Sequence, residues 1–246
     1  MIHYEFPLNE RTRKFMRLEE IFLRSESQLS GKGKYKENDL FDTLFNLMGT
    51  ATRSDLKVEL IQEVERQRYK FKLLNKTIKN LGILKKLSSL KSQLEKSSIK
   101  PGYYFGEDKF LQEIKARRDS PFGIVWTDFP EMHCWLQSET PESRKKYFID
   151  KFSPFAPIKN AIFFLNNILR SNAINEALII DDFKYQVKLD STVKNDLVII
   201  LIHNSPIDYP NLSSNKYAIN INFLPQKKHT VLAARPLKFK LGIASY

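Results

Sequence analysis

The segment FKYQVKL, residues 183–189, alternates large apolar residues with polar ones over seven positions. A period of two is typical of a β-strand that buries one face. Residues 217–223 and 237–243 repeat the alternation, and the apolar run at 197–203 predicts a central strand. The short connections between these segments favour an antiparallel meander. From about Glu176 onwards the chain is therefore expected to form β-strands.

Upstream of this region, from Asn9 to about Asn172, apolar residues recur with the period of an α-helix. Asn9 is a candidate N-cap for the first helix. Residues 55–80 predict one long amphipathic helix, whose expected buried stripe comprises Leu56, Leu60, Val64, Phe71, Leu74 and Ile78. The predicted class is therefore α+β, with an N-terminal all-helical domain followed by an antiparallel, sandwich-like β-strand domain.

We place the boundary between the two domains after residue 118. Residues 1–118 are expected to form the mainly helical domain. Residues 119–246 are expected to form the β-strand domain, with two accompanying helices at about 141–152 and 154–172. A boundary near residue 175 is the alternative, because the second of these helices can pack with either part.

Composition limits the class of protein. The chain has 246 residues, and 40 Lys and Arg against 28 Asp and Glu give a net charge of +12. The single cysteine, Cys134, excludes an intrachain disulfide and a thiolate metal cage. No signal peptide is recognised, and the apolar runs are much shorter than the ~20 residues of a membrane-spanning helix. We expect a soluble intracellular protein with an acidic partner: nucleic acid, a membrane surface or an acidic protein segment.

Sequence motifs of enzymes are missing. The chain contains no P-loop, no G-x-S-x-G and no dinucleotide-binding glycine pattern. His133 and Cys134 are sequence neighbours, so their side chains point in different directions and do not predict a catalytic dyad. The other histidines, His3, His203 and His229, have no metal-binding spacing. We therefore expect a protein that is not an enzyme and has no cofactor or metal; a hydrolase built around His133 is the weakest alternative.

The strongest compositional signal is a basic stretch from Arg66 to Lys100, which has eleven positive charges and one negative charge, Glu95. It predicts a surface for a polyanion or an acidic peptide, with a solvated helical face as the alternative. Nucleic-acid binding is thus a second candidate function. The strand aromatics fall on the apolar side of the alternation, as core residues do, rather than forming stacking platforms; they are Tyr185, Tyr217, Phe223 and Phe239.

An ordered set of short segments resembles the ZapD family, bacterial division-ring proteins that bind FtsZ. The segments run in the same order over nearly the whole chain: residues 5–10 (EFPLNE) followed by Arg13, Phe15, Arg17 and Glu19, residues 56–67 (LKVELIQEVERQ), residues 107–109 (EDK), residues 128–130 (DFP) leading to His133, Trp135 and Leu136, residues 216–219 (KYAI) and residues 223–225 (FLP).

The resemblance implies a helical domain joined to a β-strand domain in a symmetric homodimer. It implies a cell division factor that binds the C-terminal tail of FtsZ, crosslinks and bundles FtsZ protofilaments, and promotes Z-ring assembly and stability. The expected location is the cytoplasm, at the mid-cell division ring. No nucleic-acid partner and no direct membrane insertion are expected.

The resemblance also implies which residues bind the FtsZ tail. By matching position they are Arg13, Arg17, Arg53, Lys57, Lys109, His133 and Lys216. Lys216 matches an arginine at the start of the third strand, and Asn220 stands where the family can have a second arginine. Lysine lacks the bidentate fork with which arginine binds carboxylates, so the strand side of this pocket is expected to be weaker here.

Overall fold

The computed structural model describes residues 1–31, 36–51, 55–74, 78–98, 102–118, 129–181, 183–202, 208–225 and 236–246. These residues form two compact units. One consists of residues 17–164, and the other of residues 1–16 together with residues 165–246. The predicted α+β class is confirmed, since helices dominate the first unit and antiparallel strands the second.

The secondary structure follows the predicted change of period along the chain. The α-helices are α1 Glu10–Ser30, α2 Lys36–Ala51, α3 Leu56–Leu73, α4 Ile78–Lys96, α5 Lys109–Arg118, α6 Pro130–Ser138, α7 Pro141–Phe152 and α8 Ala156–Ser171. Short 3-10 helices occupy Tyr103–Gly106 and Ser153–Phe155. The strands are β1 Ile2–Pro7, β2 Ile174–Ile180, β3 Lys184–Lys188, β4 Leu197–Ile202, β5 Asp208–Ser214, β6 Ala218–Pro225 and β7 Leu237–Ala244.

The division between the units falls inside α1 and α8, each of which contributes residues to both units. It therefore lies nearer to the alternative boundary at residue 175. The boundary expected after residue 118 falls at the edge of residues 119–128, which lie outside the described residues, and it stays a prediction.

The single long helix predicted for residues 55–80 is wrong, because the chain reverses direction within it. Leu74 has extended backbone angles, and α4 starts at Ile78. The two helices run antiparallel, because Lys57 at the start of α3 contacts Ser97 after the end of α4, while Glu65, further along α3, pairs with Lys91 (2.6 Å), further back on α4. Beyond Gln67, Phe71 of the expected stripe is half-buried and Leu74 is exposed, and the side chain of Ile78 lies outside the described part of the structure. The buried face of α3 comprises Leu56, Leu60, Glu63, Val64 and Gln67.

The strands form two antiparallel sheets. The orders are β1-β4-β7-β2 and β3-β6-β5. Their facing sides bury one shared core, which confirms the sandwich-like prediction; its members are Val198, Ile200, Ile202, Ile219, Ile221, Phe223, Leu237, Phe239 and Leu241. The predicted meander is wrong, because β1, β2 and β5 were not among the predicted strands and β4 pairs with β1 and β7 instead.

A buried carboxylate joins three parts of the strand unit. Asp196, which precedes β4, is 1% exposed. Its Oδ1 accepts a hydrogen bond from Asn9 Nδ2 (2.6 Å), and its Oδ2 accepts one from the backbone N–H of Tyr246 (2.8 Å). The guanidinium of Arg11 lies 3.8 Å from Oδ1. Asn9 also caps α1, as predicted, since its Oδ1 accepts from the N–H of Thr12 (2.9 Å).

Replacing this carboxylate should destabilise the protein. We expect Asp196→Asn to lower the free energy of unfolding by about 2 kcal/mol, because buried donors then lose a charged acceptor. Urea unfolding followed by circular dichroism measures the change. Glu176→Gln, at an exposed position of β2, is the matched control and should leave the midpoint unchanged. Equal midpoints for Asp196→Asn and the wild type would contradict this account.

Candidate functional site

The candidate tail-binding residues are distributed over both units. Arg13 and Lys216 belong to the strand unit. Residues Arg17, Lys57, Lys109 and His133 belong to the helical unit. The seventh candidate, Arg53, lies outside the described residues. A single pocket built from all seven therefore stays a prediction, whereas the surroundings of six of them are defined.

Arg13 and Arg17 lie one helical turn apart on α1, at the end fixed by the Asn9 cap. Arg13 Nη1 donates to Glu10 Oε2 (2.8 Å). Glu10 is largely exposed, so this ion pair stabilises the helix by at most about 1 kcal/mol. Arg17 is exposed and forms no ion pair with another described residue. Arg17 can thus bind an incoming carboxylate directly, and Arg13 can do so by exchanging Glu10 for it.

Lys57 has a different role in the structure. Its Nζ donates to the carbonyl oxygens of Ser97 (2.7 Å) and Glu95 (3.2 Å), at the C-terminal end of α4. The last carbonyls of a helix lack intrahelical partners and carry partial negative charge, so a lysine ammonium stabilises them. Lys57 therefore fastens the start of α3 to the end of α4, and a peptide carboxylate would have to compete with these carbonyls.

Lys109 and His133 are both exposed, on two helices that touch through aromatic rings. The ring of Phe110, next to Lys109, lies 5.6 Å from that of Trp135 on α6. Met132 anchors α6 in the core while His133 and Cys134 are exposed. Apolar spacing did not predict α6, because only one of its nine residues is fully buried.

Aromatic side chains supply the apolar component of this region. Phe110, Trp135 and Tyr147 are each half-buried, with ring centroids 5.4 Å to 6.4 Å apart. Burial, and to a smaller extent the charge of Asp108, raises the pKa of the Tyr147 phenol far above its ordinary value, so this ring is neutral at physiological pH. None of these three residues was a predicted site residue. A signal was available for Phe110 and Trp135, which lie beside Lys109 and His133 in the sequence, but not for Tyr147 on α7.

Lys216 lies in the turn between β5 and β6, and not at the start of the strand. The side-chain oxygen of Asn215 accepts hydrogen bonds from the N–H groups of Tyr217 and Ala218, and β6 begins only at Ala218. Tyr217 is consequently 66% exposed, so its prediction as a core residue is wrong. The other three strand aromatics do pack into the sandwich core. Lys216 Nζ lies 6.0 Å from the centroid of the Tyr217 ring.

Asn220 does not replace the charge of the missing arginine, because an amide is neutral. It lies on β6 opposite Gln186 of β3, and its Oδ1 accepts a hydrogen bond from Gln186 Nε2 (2.7 Å). The oxygen of this amide is thus engaged within its own sheet. Lys216 is exposed. The weaker strand side of the pocket stays a prediction.

The described residues contain no group of three or more His, Cys, Asp or Glu side chains arranged to hold a metal ion. None of the helices within the described ranges is both long and apolar enough to cross a bilayer.

Exposed cations beside half-buried aromatic rings define a site class suited to acidic, partly apolar peptides. A family model described as ZapD, a cell division protein, matches residues 16–222. The chain therefore belongs to the ZapD family of cell division proteins.

Curated relatives agree over the full length. Cell division protein ZapD of Aromatoleum aromaticum is 30% identical over 254 residues, which cover 100% of this chain and 98% of the relative. The proteins of the same name from Dechloromonas aromatica and Azoarcus sp. are each 31% identical. The first of these alignments covers 91% of this chain and 90% of the relative, and the second 98% of both. These relatives are named as cell division proteins rather than as enzymes.

The contacts of Lys57 lead to a stability prediction. Lys57→Met keeps the aliphatic stem but removes the donor, so we expect the free energy of unfolding to fall by about 1 kcal/mol. Denaturant unfolding measures the change. Lys86→Met, at an exposed position of α4, is the control and should have little effect. If both variants were as stable as the wild type, Lys57 would not be fastening the hairpin, and its ammonium would be available to a ligand.

Proposed function

We propose that this protein binds the C-terminal tail of FtsZ and, as a homodimer, crosslinks FtsZ protofilaments into bundles at the mid-cell ring in the cytoplasm. The proposed role is non-catalytic and promotes assembly and stability of the Z-ring. Family membership supports it. The observation that carries it is the pair Arg13 and Arg17, one turn apart on α1, with Arg17 exposed and forming no ion pair with a described residue.

In the proposed mechanism, charged side chains attract the tail and apolar side chains provide contact area. The resemblance implies a short, flexible tail with acidic and apolar residues. Arginine guanidiniums attract its carboxylates and speed the encounter, because complementary charge raises association rates. The half-buried rings of Phe110, Trp135 and Tyr147 offer contact area to apolar side chains of the tail. The proposed set is completed by Arg53, Lys57, Lys109, His133 and Lys216.

Crosslinking follows from two sites in one dimer. Each protomer binds one tail, so a dimer can connect two filaments. A filament presents the tail many times, and linked binding events raise the effective concentration of every further one. Weak single sites therefore suffice for stable bundles.

Sedimentation of GTP-polymerised FtsZ tests the proposal. We expect this protein to pellet with full-length FtsZ and to increase the pelleted fraction, and to remain in the supernatant with FtsZ that lacks its C-terminal tail. Arg13→Ala, Arg53→Ala and Lys216→Ala then test the individual positions. Absence of co-sedimentation with either form of FtsZ would refute the proposal, and binding to DNA alone would favour the nucleic-acid alternative.

The two arginines of α1 should respond differently to substitution. We expect Arg17→Ala to weaken binding of a tail peptide roughly fivefold, because one exposed ionic contact contributes up to about 1 kcal/mol. Glu10→Gln should strengthen binding roughly twofold, because it removes the carboxylate that competes for Arg13. Fluorescence anisotropy with a labelled tail peptide measures both effects.

Arg24→Ala is the matched control for these variants, since Arg24 is exposed on the same helix but is not a candidate. Binding by the wild type should weaken steeply as salt is raised, because exposed charges are screened over ~8 Å at physiological ionic strength. Affinity that is independent of salt, or an equal loss in Arg24→Ala, would refute the electrostatic mechanism.

A further inference from the structure

The hairpin formed by α3 and α4 exposes large apolar side chains at one end. Tyr69 and Leu73 lie one turn apart on α3 and are 65% and 71% exposed. Leu74, directly after α3, is 53% exposed, and Leu81, near the start of α4, is 45% exposed. We call these four residues the hairpin patch. Single exposed apolar residues are ordinary on a protein surface, but four at the same end of one hairpin indicate a contact surface.

The charge around the hairpin patch is of one sign. The sequence contains no acidic residue between Arg66 and Leu94. Lys72, Lys85 and Lys86 are exposed and form no ion pair with any described residue. An anionic partner is therefore favoured at this end.

Other cations of the same hairpin are paired. Arg66 pairs with Glu63, Arg68 with Glu65, and Lys91 with both Glu65 and Glu95. Hydrogen bonding to Lys91 lowers the pKa of the Glu65 carboxyl, which keeps it ionised. The basic stretch from Arg66 to Lys100 is thus not one uniform surface: Arg66, Arg68 and Lys91 are paired, whereas Lys72, Lys85 and Lys86 are exposed without an ion pair to a described residue.

Charge also distinguishes between the possible occupants. Two copies of the hairpin patch facing each other would bring lysines against lysines, which repel. Nucleic acid stacks on aromatic rings, and three of the four side chains are leucines. Leucine with tyrosine, edged by lysines, is the combination found on protein segments that lie in the interface of anionic membranes.

We propose that the hairpin patch adsorbs to the surface of an anionic phospholipid bilayer. Leu73, Leu74 and Leu81 contact the boundary between headgroups and acyl chains, Tyr69 lies at headgroup level, and the neighbouring lysines bind lipid phosphates. Such adsorption needs no membrane-spanning helix and differs from direct membrane insertion. The patch shares no residue with the candidate tail-binding set, so it acts independently of FtsZ binding.

Flotation of the full chain with lipid vesicles tests the proposal. We expect binding to vesicles of phosphatidylcholine with phosphatidylglycerol and none to phosphatidylcholine alone. Leu73→Ser combined with Leu74→Ser should weaken binding at least about tenfold, since each buried CH₂ contributes ~0.8 kcal/mol to membrane binding. Lys85→Glu combined with Lys86→Glu should abolish it.

The controls separate this proposal from its alternatives. Ile174→Ser combined with Ile179→Ser removes exposed apolar residues from β2 and should bind vesicles normally. All variants should keep the wild-type circular dichroism spectrum and tail-peptide affinity, so failure of the tail-binding proposal would leave this test intact. Equal binding to both vesicle types, or no binding, would overturn the proposal. The proposal would also be overturned if the wild type did not bind vesicles and the leucine variant differed from it in sedimenting mass. That result would assign the patch to a contact with a second copy of the chain.

Discussion

The buried carboxylate of Asp196 is the interaction on which the arrangement of the strand unit depends. Asp196 directly precedes β4, and its side chain binds Asn9 and Tyr246, which are far from it and from each other in sequence. Burying a charge is unfavourable unless donors compensate for the lost water. Here a side-chain amide and a backbone N–H donate directly to the carboxylate oxygens, and the Arg11 guanidinium lies nearby.

The consequence for function passes through Asn9. Its amide nitrogen donates to Asp196 while its amide oxygen caps α1 through the N–H of Thr12, so both ends of one side chain are engaged. The first turn of α1 is therefore fixed to β4, and Arg13 and Arg17 follow one and two turns later. Cations on an anchored helix lose less conformational entropy on binding than cations on a loop. Asn9, which lies outside the proposed site, thus positions the helix that carries Arg13 and Arg17.

The sequence predicts those elements whose pattern is local. The apolar spacing anticipated α7 and α8, the alternation anticipated β3, β6 and β7, and the apolar run at 197–203 anticipated β4. It missed β5 (DYPNLSS), which does not alternate regularly, and α6, which buries a single residue fully. The candidate site followed from the resemblance to a family. The partners of Lys57 and Asn220 could not be predicted, because they depend on the antiparallel return of α4 and on the register between β3 and β6.

The net charge of +12 becomes informative only when paired and unpaired cations are separated. Arg66, Arg68 and Lys91 neutralise glutamates within the α3–α4 hairpin and contribute to its structure. Lys57 is similarly engaged by carbonyl oxygens. Two sets of cations remain available to the proposed partners: Arg17 on α1, with its neighbour Arg13 in an exchangeable ion pair, and Lys72, Lys85 and Lys86 beside the hairpin patch. The net charge does not make this distinction. It counts a cation that stabilises a helix end in the same way as a cation that is available to bind a ligand. The two proposed sites differ further in their apolar side chains, half-buried aromatic rings near Lys109 and His133 against exposed leucines on the hairpin, and this difference is the physical reason to propose different anionic partners.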